Sequence, residues 1–74
     1  MKWRAWASNT YTLVDDSDYN RAYIRPCGVG WSVHIWHTAI GAFGGAGLWV
    51  RVDGEFNTLE EAKAVAVARV LLNL

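Results

Sequence analysis

Residues 58–72 constrain the fold more than any other part of the chain. They open Thr58-Leu59-Glu60-Glu61, a capping box in which the threonine hydroxyl and the Glu61 carboxylate satisfy free backbone N–H groups reciprocally. Alanine- and leucine-rich sequence then runs to about Leu72 without glycine or proline. Glu60 and Glu61 stand at the start and Arg69 near the end, the favourable order for a helix dipole. The spacing predicts one C-terminal helix.

What precedes it reads as short strands divided by turn residues. Residues 3–7 and 11–14 are β-prone and are separated by Ser8-Asn9; Asp15-Asp16-Ser17-Asp18 is a polar turn. Residues 19–25 alternate, with Tyr19, Arg21, Tyr23 and Arg25 on one face and Ala22 and Ile24 on the other. Pro26-Cys27-Gly28-Val29-Gly30 ends that strand in a turn. In residues 31–37, Trp31, Val33 and Ile35 share one face and Ser32, His34 and Trp36 the other. The glycine cluster 41–47 reads as a flexible loop. In residues 48–52, Leu48, Val50 and Val52 point in and Trp49 and Arg51 out, and Asp53-Gly54 closes the run with a turn signal. Strands followed by a helix predict an α+β fold, a single domain over residues 1–74. Its core is a three- to four-stranded, mainly antiparallel sheet with the helix packed on one face.

A chain of 74 residues is near the lower limit for a self-standing core. Cys27 is the one cysteine, so no intrachain disulfide and no cysteine zinc site can form. A lone thiol suits the cytoplasm better than an oxidising compartment. Packing must therefore hold the fold, and 53% of residues are apolar, five of them tryptophan. That is more aromatic surface than a core of this size is expected to hold, which marks some of it as a contact site. Seven basic and seven acidic residues cancel. The balance argues against an acidic nucleic-acid mimic and against a nonspecific nucleic-acid binder. No apolar signal core follows the N-terminus and no stretch reaches the roughly 18 apolar residues of a membrane span.

The motifs with catalytic or metal-binding outlines lead nowhere chemical. His34 and His37 are three apart on a strand and so point to opposite faces. Asp16-x-Asp18-x-Asn20 begins like a calcium loop, but Arg21 replaces its glycine and Cys27 its terminal glutamate. The glycine cluster precedes a strand rather than a helix, with no lysine–serine or lysine–threonine pair, unlike a phosphate loop. Cys27 lacks a base at a telling spacing, with only His34 or His37 able to approach. The expectation is no catalytic residue, no metal and no cofactor.

Binding is better supported. If Ile24, Val33, Ile35, Val50 and Val52 face the helix, the other face of the sheet collects Tyr19, Arg21, Tyr23, Arg25, His34, Trp36, Trp49 and Arg51. Arginine beside tyrosine and tryptophan offers stacking and cation–π contacts, the residue types of interface hot spots. The alternative is that these pairs only stabilise the open face of a two-layer fold. On the helix, Leu59, Ala62, Ala66 and Val70 form the sheet-facing stripe. The opposite side, Ala64, Ala68, Leu71 and Leu72, is apolar too and is a candidate oligomer face.

The segment Asp53-Gly54-Glu55-Phe56-Asn57-Thr58-Leu59-Glu60-Glu61-Ala62-Lys63 resembles the end of many small phage and prophage accessory proteins, anti-CRISPR proteins among them. The resemblance implies a non-enzymatic inhibitor or modulator of a host protein complex, working in the host-cell cytoplasm. The same segment is similar in outline to the end of a double-stranded-RNA-binding domain. That family has a lysine pair at the helix start where this chain has Glu60 and Glu61, and an N-terminal helix that is missing here, so duplex recognition is not expected. Two alternatives stand beside the inhibitor reading: single-stranded nucleic-acid binding on the aromatic–arginine face, with Trp36, Trp49 and Tyr23 as stacking platforms, and a structural homo-oligomer or homodimer.

Overall fold

The computed structural model describes residues 1–7, 9–38 and 47–72. Five strands, β1 (Lys2–Ala7), β2 (Thr10–Val14), β3 (Asn20–Cys27), β4 (Gly30–Thr38) and β5 (Gly47–Arg51), are followed by one helix, α1 (Leu59–Leu72). The strands form a single antiparallel sheet in the order of the sequence. The α+β architecture matches the sequence reading, while the sheet has five strands rather than three or four. The difference lies at the N-terminus. Asn9 adopts a left-handed φ of 58° and Ala7 pairs with Thr10, so the chain doubles back between them and both N-terminal runs join the sheet. Of the expected loop 41–47, only Gly47 lies among the described residues, and it begins β5.

The β2–β3 and β3–β4 turns each have an identifiable cause. Between β2 and β3 the Asp15 carboxylate accepts the backbone N–H groups of Ser17 at 2.8 Å and Tyr19 at 3.0 Å, a local side-chain-to-backbone turn. Asp18 takes the left-handed corner at φ 65°. Asp15 also pairs with the Arg21 Nε at 2.6 Å, and Arg21 is the residue skipped by the register shift between Leu13 and Val14. That guanidinium, followed by the turn's backbone donors, holds the Asp15 carboxyl below its usual range. The acidic turn is thus occupied by its own backbone and an arginine. Between β3 and β4 the turn shortens to Gly28-Val29, because Cys27 already pairs with Gly30. Gly28 supplies the positive φ of 60° that the first central position requires.

Pro26 lies inside β3, opposite Trp31, where a proline would ordinarily cost a ladder bond. The Val52 N–H donates to the Val33 carbonyl and Trp31 and Phe56 exchange bonds, so the odd residues of β4 turn their backbone groups toward β5. Alternation then makes Pro26–Trp31 a non-hydrogen-bonded pair with β4. The ring nitrogen faces the β2 side, beyond Ile24, where the β2 register has ended. No ladder bond is lost there.

The core forms where α1 crosses β3 and β4. Ala62, Ala66 and Val70 are buried against Leu13, Ala22, Ile24, Val33 and Ile35, with Leu59 and Phe56 packed at the rim. Small alanines let the helix approach the sheet closely. Thr58 caps it as expected, accepting the Glu61 N–H on its hydroxyl at 3.1 Å; among the described contacts the return bond from the Glu61 carboxylate is not made. Lys63 leans off one flank, its ammonium 5.7 Å from the Trp3 ring centre and 5.2 Å from that of Tyr11. No helix among the described residues is long and apolar enough to cross a membrane.

Candidate binding face

Among the described residues no element covers the side of the sheet away from α1, and the registers fix what stands on it. One row crosses all five strands: Arg4, Thr12, Tyr23, His34 and Arg51. At a strand spacing of about 4.8 Å this row is about 19 Å wide, with an arginine at each end. Arg25 faces Ser32 in the next row on one side, and Trp36 faces Trp49 on the other. Tyr19, immediately before β3, and Arg21 line a cleft with Trp36 and Trp49. All eight residues expected on this face are therefore together on it.

The rings form one connected cluster. Tyr23 stacks on His34 with centroids 4.3 Å apart and planes 7° from parallel. Trp49 meets Tyr23 edge-on at 4.7 Å and Trp36 edge-on at 5.2 Å. Such offset and edge-to-face arrangements are the favoured geometries for aromatic pairs, so each ring helps to hold its neighbour. The cluster is a preorganised platform.

His34 sits at its centre and is buried. It shares a 3.1 Å hydrogen bond with the Ser32 hydroxyl, which also reaches the Arg25 carbonyl at 3.4 Å. Burial, then the positive charges of Arg25 and Arg51, lower its pKa, so the neutral imidazole is the native form. The unfolded chain takes up the proton first on acidification, so stability is full above the ordinary histidine value of about 6.5 and is lost as pH falls below it. A denaturation series on wild type should show that loss, and His34→Phe should flatten it until the carboxylate range, where the Asp15–Arg21 pair is lost in turn. An unchanged slope in the variant would assign the loss to other groups.

Sequence alternation did not bring β1 into the site. Arg4 and Trp6 join the face and, with Thr12, Asn20, Tyr23 and Trp49, line a second cleft of about 530 Å³. The first, lined by Tyr19, Asn20, Arg21, Trp36 and Trp49, is about 500 Å³. Trp49 and Asn20 belong to both, so the two clefts adjoin. Trp6 is the residue skipped where the β1–β2 register shifts between Ala5 and Ala7, and it is 76% exposed. The alternation of Lys2, Arg4 and Trp6 against Trp3 and Ala5 was the signal available for it.

The remaining candidates fall outside this site or do other work. The Cys27 thiol lies 3.3 Å from the Glu55 carboxylate and 3.4 Å from an Arg51 nitrogen. Ala64, Ala68, Leu71 and Leu72 are exposed on α1. His37 lies in β4, three residues from His34. Among the described residues no three His, Cys, Asp or Glu side chains converge as metal ligands, and no buried side-chain polar atom lacks a partner. No protein-family model, curated protein or solved structure matches the chain.

Proposed function

We propose that the chain is a binding module without catalysis of its own, which docks on a protein surface carrying acidic and apolar groups, as a phage-type inhibitor or modulator of a host protein complex would. The observation that carries this reading is the connected Tyr23–His34–Trp49–Trp36 cluster on the uncovered face, flanked by Arg4, Arg21, Arg25 and Arg51. The formal charge of the whole chain is zero; the rows of this face contain arginines and no carboxylate. Asp18 and Asp15 of the β2–β3 turn pair with Arg4 and Arg21, while Arg25 and Arg51 make no ion pair among the described residues. The acids collect in the β2–β3 turn and in residues 53–61. Preformed rings cost little ordering on binding, and tryptophan, tyrosine and arginine are the residues most often found at interface hot spots.

A second reading is single-stranded nucleic-acid binding. The observation that favours it is the pair of adjoining clefts, each combining exposed aromatic surface with an arginine and the shared Asn20. Bases could stack on Tyr19 and Trp6, with Arg21 and Arg4 exchanging their pairs with Asp15 and Asp18 for phosphates.

One experiment separates the two. The tagged domain is used to capture partners from a bacterial lysate with and without nuclease, and the retained species is then titrated against wild type and Trp36→Ala. The protein-binding reading expects a nuclease-resistant protein whose affinity falls at least about thirtyfold in Trp36→Ala, the hot-spot range of about 2 kcal/mol or more. Capture abolished by nuclease, with affinity falling steeply as salt rises, would transfer the assignment to nucleic acid. Unaltered affinity in a folded Trp36→Ala would remove the open face from either role.

A further inference from the structure

The two edges of the sheet are built differently. β1 carries Lys2 and Arg4 and a register shift at Ala5/Ala7, the charges and irregularity that keep an edge strand from pairing with another chain. β5 has neither protection over Gly47-Leu48-Trp49-Val50: no charge, no proline and an unbroken register with β4. Its only charge is Arg51. The backbone alternation set by the Val52–Val33 bond turns Leu48 and Val50 toward β4 and leaves the N–H and C=O groups of Trp49 and Arg51 pointing outward. Among the described residues no strand lies beyond them.

We infer that β5 is a self-association edge, on which a second copy of the chain pairs its own β5 antiparallel about a two-fold axis at Trp49. This register is the one that overlaps all five residues: Trp49 lies against Trp49, Leu48 against Val50, and Arg51 against Gly47. Outward-facing residues meet outward-facing residues, as an antiparallel ladder requires, and no two arginines oppose each other. A second copy is therefore complementary to this edge in hydrogen bonding and in charge, as isologous contacts must be.

The same pairing covers apolar surface that the monomer leaves wet. Leu48 is 53% and Val50 40% exposed on the helix side of β5, because α1 lies over β3 and β4. Lys63 leans over Trp3 and Tyr11 toward β1 and β2, so helical spacing places Leu72 on the opposite flank, above the β5 side. Leu72 is 79% exposed. Two-fold pairing joins the Leu48 and Val50 of both copies into one strip beneath the two Leu72 side chains. A five-residue strand pair is shorter than an interface burying the usual 800 Å² or so per partner, so the dimer is a dissociating one. The inference does not rest on the open face, since the ladder and the strip lie at the edge and on the helix side.

Sedimentation and amide hydrogen exchange test it on the whole chain. The expected result is a mass rising toward twice 8.3 kDa with concentration, together with amide protection of Trp49 and Arg51 that appears only in the concentrated sample. Leu48 and Val50 amides, already bonded to β4, should be protected at both concentrations. Arg51→Pro removes one outward N–H at an edge, where proline is tolerated, and Val50→Lys places a charge in the apolar strip. Both should remain folded by circular dichroism and sediment as monomers under conditions in which wild type dimerises. A wild-type monomer at millimolar concentration would overturn the inference, as would a dimer that survives both substitutions or leaves the Trp49 and Arg51 amides unprotected.

Discussion

Ile24→Ala should lower the stability of the domain by about 2–5 kcal/mol, measured as a fall in the urea midpoint with the slope of the transition unchanged. Ile24 is fully buried. It stands between Tyr11 and Val33 in neighbouring strands, in the part of the sheet that α1 covers. Truncation leaves a cavity bounded by two strands and a helix, none of which can close it without losing its own contacts. A chain of 74 residues, at about 0.05–0.15 kcal/mol per residue, has about 4–11 kcal/mol in total. The substitution therefore removes a large share of the whole, and part of the population should be unfolded before any denaturant is added if wild type sits near the lower figure. A loss under about 1 kcal/mol would mean that Ile24 is not in a packed core.

Gly30→Ala is expected to cost about 2–4 kcal/mol, although it adds a single methyl group. A Cβ at Gly30 would stand 2.4 Å from the Phe56 carbonyl oxygen and 3.2 Å from its carbon. Both atoms are backbone, so no rotamer change relieves the contact. The segment carrying Phe56 would have to move, and with it the reciprocal bonds between Trp31 and Phe56 at 2.8 and 2.9 Å, which anchor the connection into α1. Exchange should accelerate at the Trp31 and Phe56 amides before it does so at the β2–β3 ladder. Gly54→Ala provides the contrast, because nothing lies within 4 Å of its Cβ and only the φ of 94° opposes it. If the two alanines cost the same, the close approach of Phe56 would not be the reason for glycine at position 30.

Period-two alternation was enough to place Tyr23, His34, Trp36, Trp49 and Arg51 on one face, and helical spacing was enough to place Ala62, Ala66 and Val70 on the sheet. Both are local signals, carried by residues a few positions apart. The strand count was less legible, because Ser8-Asn9 has no glycine to announce a tight turn and Asn9 takes the left-handed conformation itself. Partner choice on the face was not legible at all. The edge-on contact between Trp49 and Tyr23 joins residues 26 positions apart on strands that are not neighbours, and it depends on two registers at once. Trp6 and Arg21 stand at register shifts; alternation carried the face of each, but not the displacement of one residue that sets which neighbours each meets. Gly30 was read as part of a turn, whereas it starts a strand and is required by a segment more than twenty residues later.

The strand order has a consequence for how the chain comes into being. Each strand pairs with the one synthesised just before it, so the sheet can zip hairpin by hairpin as it leaves the ribosome. The element that covers Leu13, Ile24, Val33 and Ile35 is made after all five strands. Until α1 emerges, the nascent sheet is aliphatic on one side and aromatic on the other, with two open edges. For that interval it has the properties of a chaperone client, and pausing translation ahead of Thr58 would prolong the one stage at which this small protein is most exposed to aggregation.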